Sequence, residues 1–321
     1  MIVGLGEAMI RLSARDHVPL VAASEFRANV AGAELNALVT AVQLGTRARW
    51  LTRLPANELG TMMRRHAQTY GIEVRAVEEA DARAGVFFLE AGATPRSSRV
   101  LYDRRDSAAS HLGPDDFDWT EELRGARVAH VTGITPALGA GALGASLALL
   151  SNARSLGVTT SFDVNYRSQL WHVEQARASM RRILEVADII FVTPNDLALL
   201  TGRDGEADDL AGELVDTFGV STVVLRERLD VGEHELGVSV RVVGAAGDRG
   251  AATGRVVDQL GAGDAAAGAF LASMMRGDPQ ELAVRYCAHA YARALTIPGD
   301  SFEGTWHDLD QGFSTSRRLV R

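Results

Sequence analysis

Asp258-Gln259-Leu260-Gly261-Ala262-Gly263-Asp264, continued by Ala265-Ala266-Ala267-Gly268-Ala269-Phe270-Leu271-Ala272, is the stretch around which the rest of the chain is organised. An apolar segment, Arg255-Val256-Val257, runs into a Gly-Ala-Gly turn, an acidic residue and a small-residue run of helical character. Glycine tolerates unusual φ and carries no Cβ, so such a turn lets the backbone come close to a ligand. A helix starting at Asp264 has first N–H groups without partners inside the helix. With the positive end of the helix dipole they make a site for an anion. A carboxylate placed there does not bind the anion, but it can take a proton from a neighbouring hydroxyl. Transfer of a phosphoryl group onto an alcohol needs that pair of features, N–H groups for the growing charge and a base for the nucleophile. The same residues also suit an Asp N-cap after a glycine turn, so the decision falls to the other segments.

A chain of 321 residues holds one large α/β domain or two ordinary ones. It is 46% apolar and 23% charged, an ordinary globular composition. No apolar run approaches the length of a membrane span. Met1-Ile2-Val3-Gly4-Leu5-Gly6-Glu7 enters a strand-like run directly, with no basic leader, which predicts a cytoplasmic protein. The net charge of −8 argues against nucleic acid or anionic membrane as a partner. The single cysteine, Cys287, lies in an apolar helical pattern and reads as core filler. All 33 basic residues are arginine. A P-loop lysine, a Schiff-base lysine and a lysine general base are therefore excluded, and anion recognition falls to Arg or backbone N–H.

Ile2–Leu5 reads as a first strand. Gly4-x-Gly6 hints at a dinucleotide turn, but Met9 occupies the third glycine position and no helix pattern follows. Residues 9–13 and 25–30 read instead as short alternating strands. Ala31-Gly32-Ala33-Glu34-Leu35-Asn36 opens a helix through Leu44, stopped by Gly45. Residues 49–53 and 72–77 read as strands around a helix at 58–70. From 84 to 105 the helical period gives way to two strands, 86–89 and 99–102, around a polar link at 92–98. Strands at 128–131, 159–162, 189–192 and 222–225 then alternate with helices near 139–156, 174–186, 195–201 and 207–218. Helices from Asp264 to about Met275 and from Pro279 to Leu295 follow. The alternation argues for a parallel sheet covered on both faces, with a site beyond the carboxyl ends of its strands. Thr132-Gly133-Ile134, Asp163–Arg167, Thr193–Asp196 and Arg226 fall at those ends.

Taken together, several motifs resemble the ribokinase-like (PfkB-type) carbohydrate kinases, and within them the 2-keto-3-deoxygluconate kinase branch. They are Ala31–Asn36, Tyr102-x-Arg104 with Ser107–Ser110, Thr132-Gly133-Ile134-Thr135-Pro136, Phe162-Asp163-x-Asn165-Tyr166-Arg167-x-x-Leu170-Trp171, Gly261–Asp264 and Ile297-Pro298-Gly299-Asp300. The resemblance spans nearly the whole chain. It implies a single domain over 1–321, a Rossmann-like αβα sandwich with a mostly parallel sheet, and a small β-sheet lid built from residues near 9–30 and 84–106. It implies lid-mediated pairing into a homodimer, and Mg2+-assisted transfer of phosphate from ATP to a hydroxyl of a sugar acid, 2-keto-3-deoxygluconate first among them.

Carried over by position, the resemblance makes Asp264 the general base and the N–H groups of Gly261, Ala262 and Gly263 the anion hole. Arg104 and Arg167 bind the substrate carboxylate and hydroxyls, a role that suits the planar guanidinium fork. The plain alternatives are a solvated lid charge for Arg104 and an ion pair with Asp163 for Arg167. Gly32 lets the sugar approach the backbone. Asn36, Tyr102, Ile134 and Asp300 contact it, although a turn role for Asp300 stays open. Asn165 and Asn195 face the ATP phosphates and the water around Mg2+. Arg226 opens a strand-end loop lining the nucleotide pocket. No residue is assigned as a direct metal ligand.

The chain departs from the family pattern at four places. Asn195-Asp196-Leu197-Ala198 lacks the glutamate of Asn-x-x-Glu, leaving Asp196 as a displaced substitute. Phe87 replaces a substrate-contacting Tyr. Arg226–Gly232 is not the usual glycine-rich turn, and Ala266 replaces an aromatic. A fructokinase-like or other neutral-sugar kinase is the rival within the class. A non-catalytic sugar- or nucleotide-binding protein on the same fold is the rival outside it.

Overall fold

Two sheets of different size organise the computed structural model, which describes residues 1–93, 95–232, 234–244 and 248–313. Residue 94 of the polar link and the expected domain end at 314–321 lie outside the described residues. In chain order the first half runs β1 (Ile2–Leu5), β2 (Met9–Ala14), β3 (Phe26–Ala31), α1 (Ala33–Gln43), β4 (Ala48–Pro55), α2 (Glu58–Thr69), β5 (Glu73–Glu79), β6 (Gly85–Glu90), β7 (Arg99–Asp103), α3 (Trp119–Glu122), β8 (Val128–Thr132) and α4 (Ala140–Ser155). The second half runs β9 (Thr159–Asp163), α5 (Val173–Leu184), β10 (Ile189–Val192), α6 (Pro194–Thr201), α7 (Ala207–Phe218), β11 (Thr222–Gly232), β12 (Glu235–Val242), β13 (Arg249–Arg255), α8 (Ala262–Arg276), α9 (Gln280–Ala294) and α10 (Trp306–Gly312).

The large sheet has the order β13-β12-β11-β10-β9-β8-β1-β4-β5. Every neighbouring pair from β5 to β11 is parallel, and β12 and β13 add an antiparallel edge. The central strands β1, β8, β9 and β10 are buried at nearly every position because both faces are covered. In β10, Ile189 and Phe191 face one layer of core while Ile190 and Val192 face the other, the period of two that a strand imposes. The first core joins the sheet to α1, α2, α8 and α9; the second joins it to α3 through α7. No helix of the described residues is long and apolar enough to cross a membrane. Cys287 is buried in the first core, and burial pushes its thiol up to about 12.

The small sheet has the order β3-β2-β6-β7 and takes its strands from the two regions expected to form a lid. It continues from β1 after only three residues, so it stands over the carboxyl end of the large sheet.

Two boundaries differ from the sequence reading. The segment after Leu225 is no loop: β11 runs on to Gly232 and pairs antiparallel with β12. The alternation of buried Leu236, Val238, Val240 and Val242 carries that hairpin, while beyond Arg226 the charges of β11 are half-buried at Glu227 and exposed at Arg228 and Asp230. The helix expected from Asp264 begins at Ala262, with Gly261 as its N-cap.

The small residues of α8 set the site's spacing. A Cβ on Gly268 would overlap the carbonyl oxygen of Ala37 in α1, and Ala265, Ala266, Ala267 and Ala269 are buried around it. Ala266, where an aromatic was expected, is part of this close approach. The two helices therefore come near enough for a short side chain on one to bond a short side chain on the other.

Candidate active site

Gly261 has φ 81°, in the left-handed region that favours glycine. A Cβ there would also overlap the carbonyl oxygen of Asp300, so no other residue fits the turn. The first bond of α8 runs from Ala265 N to Gly261 O at 2.8 Å. The four amides before it, Gly261 to Asp264, have no partner within the helix and sit at its positive end. This adds the N–H of Asp264 itself to the three amides expected from sequence. Asp264 is the third residue of the helix and not its N-cap, so the plain capping reading fails.

The Asp264 carboxylate is half-buried. Its Oδ2 accepts from Asn36 Nδ2 at 2.8 Å, and Asn165 Nδ2 stands 3.5 Å from its Oδ1. Burial pushes its pKa up to about 6; the Asn36 hydrogen bond opposes this, Asp163 adds to it, Arg167 opposes it and Asp300 adds to it. A carboxylate tuned to that value is ionised at neutral pH and still basic enough to accept a proton in a transition state. Asn165 holds φ at 36°, an unusual backbone for a residue with a Cβ, at the turn after β9.

The structure distributes the other predicted residues unevenly. Asn36 is buried on α1, and its amide nitrogen donates to Asp264 and orients that carboxylate, while its Oδ1 has no partner. Gly32 owes its lack of a side chain to the carbonyl of Glu7, which a Cβ would overlap. Ile134 is half-buried, and its N–H donates to Thr132 Oγ1 at 3.2 Å. Tyr102 packs on Phe87 with ring centroids 5.6 Å apart. Arg104 is only 9% exposed and ion-paired with Glu7, which overturns its reading as a solvated lid charge. Arg167 is exposed on the loop after β9, and its expected alternative partner is taken, because Asp163 binds Arg226 at 2.7 Å. Asn195 is exposed in the first turn of α6. Asp196 is closed in a capping box with Thr193 and is no substitute for the missing glutamate.

One expectation needs correction. Arg226 does not line a nucleotide loop, because β11 continues past it. It is 7% exposed, beneath the first turn of α8, donating to Gly263 O at 2.8 Å and to Asp163. Asp300 is 6% exposed, and its Oδ2 accepts from Arg11 Nη1 at 2.8 Å. Burial lifts its pKa to about 6, against the charge and hydrogen bond of Arg11.

Sequence reading missed Arg11 and Glu34. Arg11 of β2 bonds both Asp258 and Asp300, which flank the glycine turn, and so ties the small sheet to that turn. Glu34 of α1 is fully buried, and its Oε1 accepts from Thr132 N, Thr132 Oγ1 and Thr135 Oγ1 at 2.7–2.9 Å. It clamps the Thr132–Thr135 turn to the helix that carries Asn36. Burial raises its pKa to about 7 despite those bonds. Its signal was in view, an acidic residue inside the Ala31–Asn36 run.

The chain matches the pfkB family of carbohydrate kinases over residues 1–300. It is 35% identical to the 2-dehydro-3-deoxygalactonokinase of Haloferax volcanii, over 93% of this chain and 92% of that one. It is 32% identical to the 2-dehydro-3-deoxygluconokinase of Thermoproteus tenax, over 94% and 90%. The crystal structure of the 2-dehydro-3-deoxygluconokinase of Thermotoga maritima superposes with a TM-score of 0.91 at 32% identity, covering 97% of each chain. A parallel sheet with a separate small sheet over its carboxyl end, a glycine turn opening a helix at Asp264, and these matches along the chain agree: the protein belongs to the pfkB family of carbohydrate kinases.

Proposed function

We propose that this kinase transfers the γ-phosphoryl group of ATP to a hydroxyl of a 2-keto-3-deoxy sugar acid, of gluconate or galactonate configuration. One observation carries the catalytic part: Asp264 is oriented by Asn36 at a helix N-terminus whose free amides face the same space. Asp264 takes the proton of the attacking hydroxyl as its oxygen bonds to phosphorus. The bond from phosphorus to the bridging oxygen breaks, and ADP leaves with that electron pair. The amides of Gly261 to Asp264 stabilise the charge on the transferring group.

The acid preference rests on arginine. Arg167 is exposed beside Asp264 and bears on its charge, and it is free of the Asp163 pairing that holds Arg226. A substrate carboxylate is the partner a guanidinium fork suits. Both curated relatives are named for keto-deoxy acids, which supports the same class.

Kinases of this family use ATP. Among the described residues no group of three or more His, Cys, Asp or Glu side chains could hold a metal ion. The residues therefore suit Mg2+ brought in on the nucleotide, which keeps much of its water and relies on phosphate oxygens. Asn165 and Asn195 would hold that water shell, and the ion would neutralise phosphate charge.

The test is an ADP-release assay with 2-keto-3-deoxygluconate, 2-keto-3-deoxygalactonate, fructose and ribose. Turnover on a keto-deoxy acid is expected, lost by about 100-fold or more in Asp264→Asn. Arg167→Ala is expected to raise KM for the acid and leave any neutral sugar unaffected. Turnover confined to neutral sugars would discard the arginine role and keep the kinase.

A further inference from the structure

Arg226 and Asp163 form a buried ion pair that the reaction as described does not use. Strand alternation puts Val224 and Arg226 of β11 on the face covered by α8. Asp163 ends β9, on the far side of β10. Between them Phe191 of β10 forms a floor, 5.4 Å from the guanidinium carbon to the ring centroid. The arginine spans this gap. Its Nη2 donates to Asp163 Oδ1 at 2.7 Å and its Nη1 to the carbonyl of Gly263 at 2.8 Å. Burial would drive the guanidinium toward its neutral form, but the Asp163 charge and hydrogen bond more than offset this and raise its pKa.

The fold alone does not call for such a pair. A buried ion pair contributes little net stability compared with apolar side chains of the same volume. The carbonyl it grips is the informative feature. Gly263 C=O and Asp264 N–H belong to one planar trans peptide and point in opposite directions. Holding the oxygen from beneath fixes where the N–H points above. A charge-assisted bond to the oxygen also polarises the peptide and strengthens its N–H as a donor. Glycine at 263 has no side chain to restrain that peptide, and a Cβ there would meet Arg226 Nη1 at 3.6 Å.

We propose that Arg226, braced by Asp163, is the positioning residue of the anion hole: it locks the Gly263–Asp264 peptide so that the Asp264 N–H is aimed at the phosphoryl group in transfer. The inference rests on the reading of this turn as the phosphoryl-transfer site. It moves Arg226 from nucleotide recognition to support of the transition state, and it makes Asp163 its brace.

The experiment compares wild type with Arg226→Lys and with the neutral pair Asp163→Asn/Arg226→Gln, using 2-keto-3-deoxygluconate and ATP. Lysine keeps the charge but has no planar fork to hold Asp163 and Gly263 together. The neutral pair leaves no buried carboxylate without a partner. In both, kcat is expected to fall about 10- to 100-fold, the range below full loss of one oxyanion donor, with each KM within about threefold of wild type. Affinity for ADP with aluminium fluoride and the sugar acid, a mimic of the transition state, is expected to fall by the same factor as kcat. Affinity for ADP alone is expected to stay as in wild type. A kcat within about threefold of wild type in a folded variant overturns the proposal, as does a loss confined to KM for ATP. Failure of both variants to fold also overturns it, by assigning the pair to the fold. Asp264→Asn measured alongside separates the two readings. If it is active, the site assignment fails. If it is inactive while Arg226→Lys is unimpaired, only the role of Arg226 fails.

Discussion

Replacing Asn36 by leucine tests whether Asp264 acts as a base tuned by its neighbours. Leucine keeps the branched heavy-atom skeleton of asparagine, with more bulk, and removes a side chain whose Oδ1 is buried without a partner. The bond lost is the 2.8 Å donation from Asn36 Nδ2 to Asp264 Oδ2. It favours the charged carboxylate, against the burial that lifts the pKa to about 6. A hydrogen bond to a charged group contributes about 1.5–3 kcal/mol, and one pKa unit corresponds to about 1.4 kcal/mol. The variant's carboxyl is therefore expected to titrate about one to two units higher, near pH 7 to 8. At neutral pH the ionised fraction falls from about nine-tenths to between one-half and one-tenth. The rate falls by about two- to tenfold there and recovers as the pH rises past the new value.

The assay is kcat/KM for 2-keto-3-deoxygluconate against pH, on the acid limb, with the sugar acid varied and ATP saturating. A limb displaced to higher pH, with a plateau near that of wild type, is the expected result. A limb that stays in place in a folded variant refutes the electrostatic argument. So does an equal loss of rate at every pH, which would show that Asn36 touches substrate or shapes the site instead.

Two further outcomes follow from the same geometry. Asp264→Asn is expected to raise Tm near pH 7.5 and leave it unchanged near pH 4, as read by calorimetry. A carboxyl whose folded pKa is raised from 3.8 to about 6 costs nothing below the lower value, and its cost grows between the two and is full above the upper one. That cost is at most about 3 kcal/mol, so equal shifts at both pH values would contradict the raised pKa. Gly268→Ala is expected to destabilise by about 1–3 kcal/mol in urea, because the added methyl overlaps Ala37 O, and to lower kcat by parting Asn36 from Asp264. A destabilised variant with full kcat would show that the α1–α8 spacing does not set the base.

Local chemistry was legible in the sequence; partners distant along the chain were not. The Gly261–Asp264 turn could be read because glycine and an acidic residue at fixed spacing state their own geometry. The alternation of strands and helices between 128 and 225 could be read because burial on two faces leaves a period in the chain. Nothing at Arg226 says that its charge turns inward to Asp163. That partner lies 63 residues away, two strands across, and became visible only once β10 stood between them. The hairpin of β11 and β12 was missed for a related reason. Arg226, Glu227, Arg228 and Asp230 resemble a solvated loop, yet they lie on a strand paired with β12, where only Arg226 of the four is buried. Arg11 belongs to the same class of miss, since its two acidic partners lie 247 and 289 residues further on. The proposed catalytic aspartate is thus written in a short motif, while the groups packed around it are supplied by the tertiary fold. The turn and carboxylate proposed as anion hole and base are held from three directions: by Asn36 through α1, by Arg11 through the small sheet, and by Arg226 through the large sheet. Each of these belongs to a different layer, so placement of the small sheet, packing of the helices and register of the large sheet all bear on one short turn.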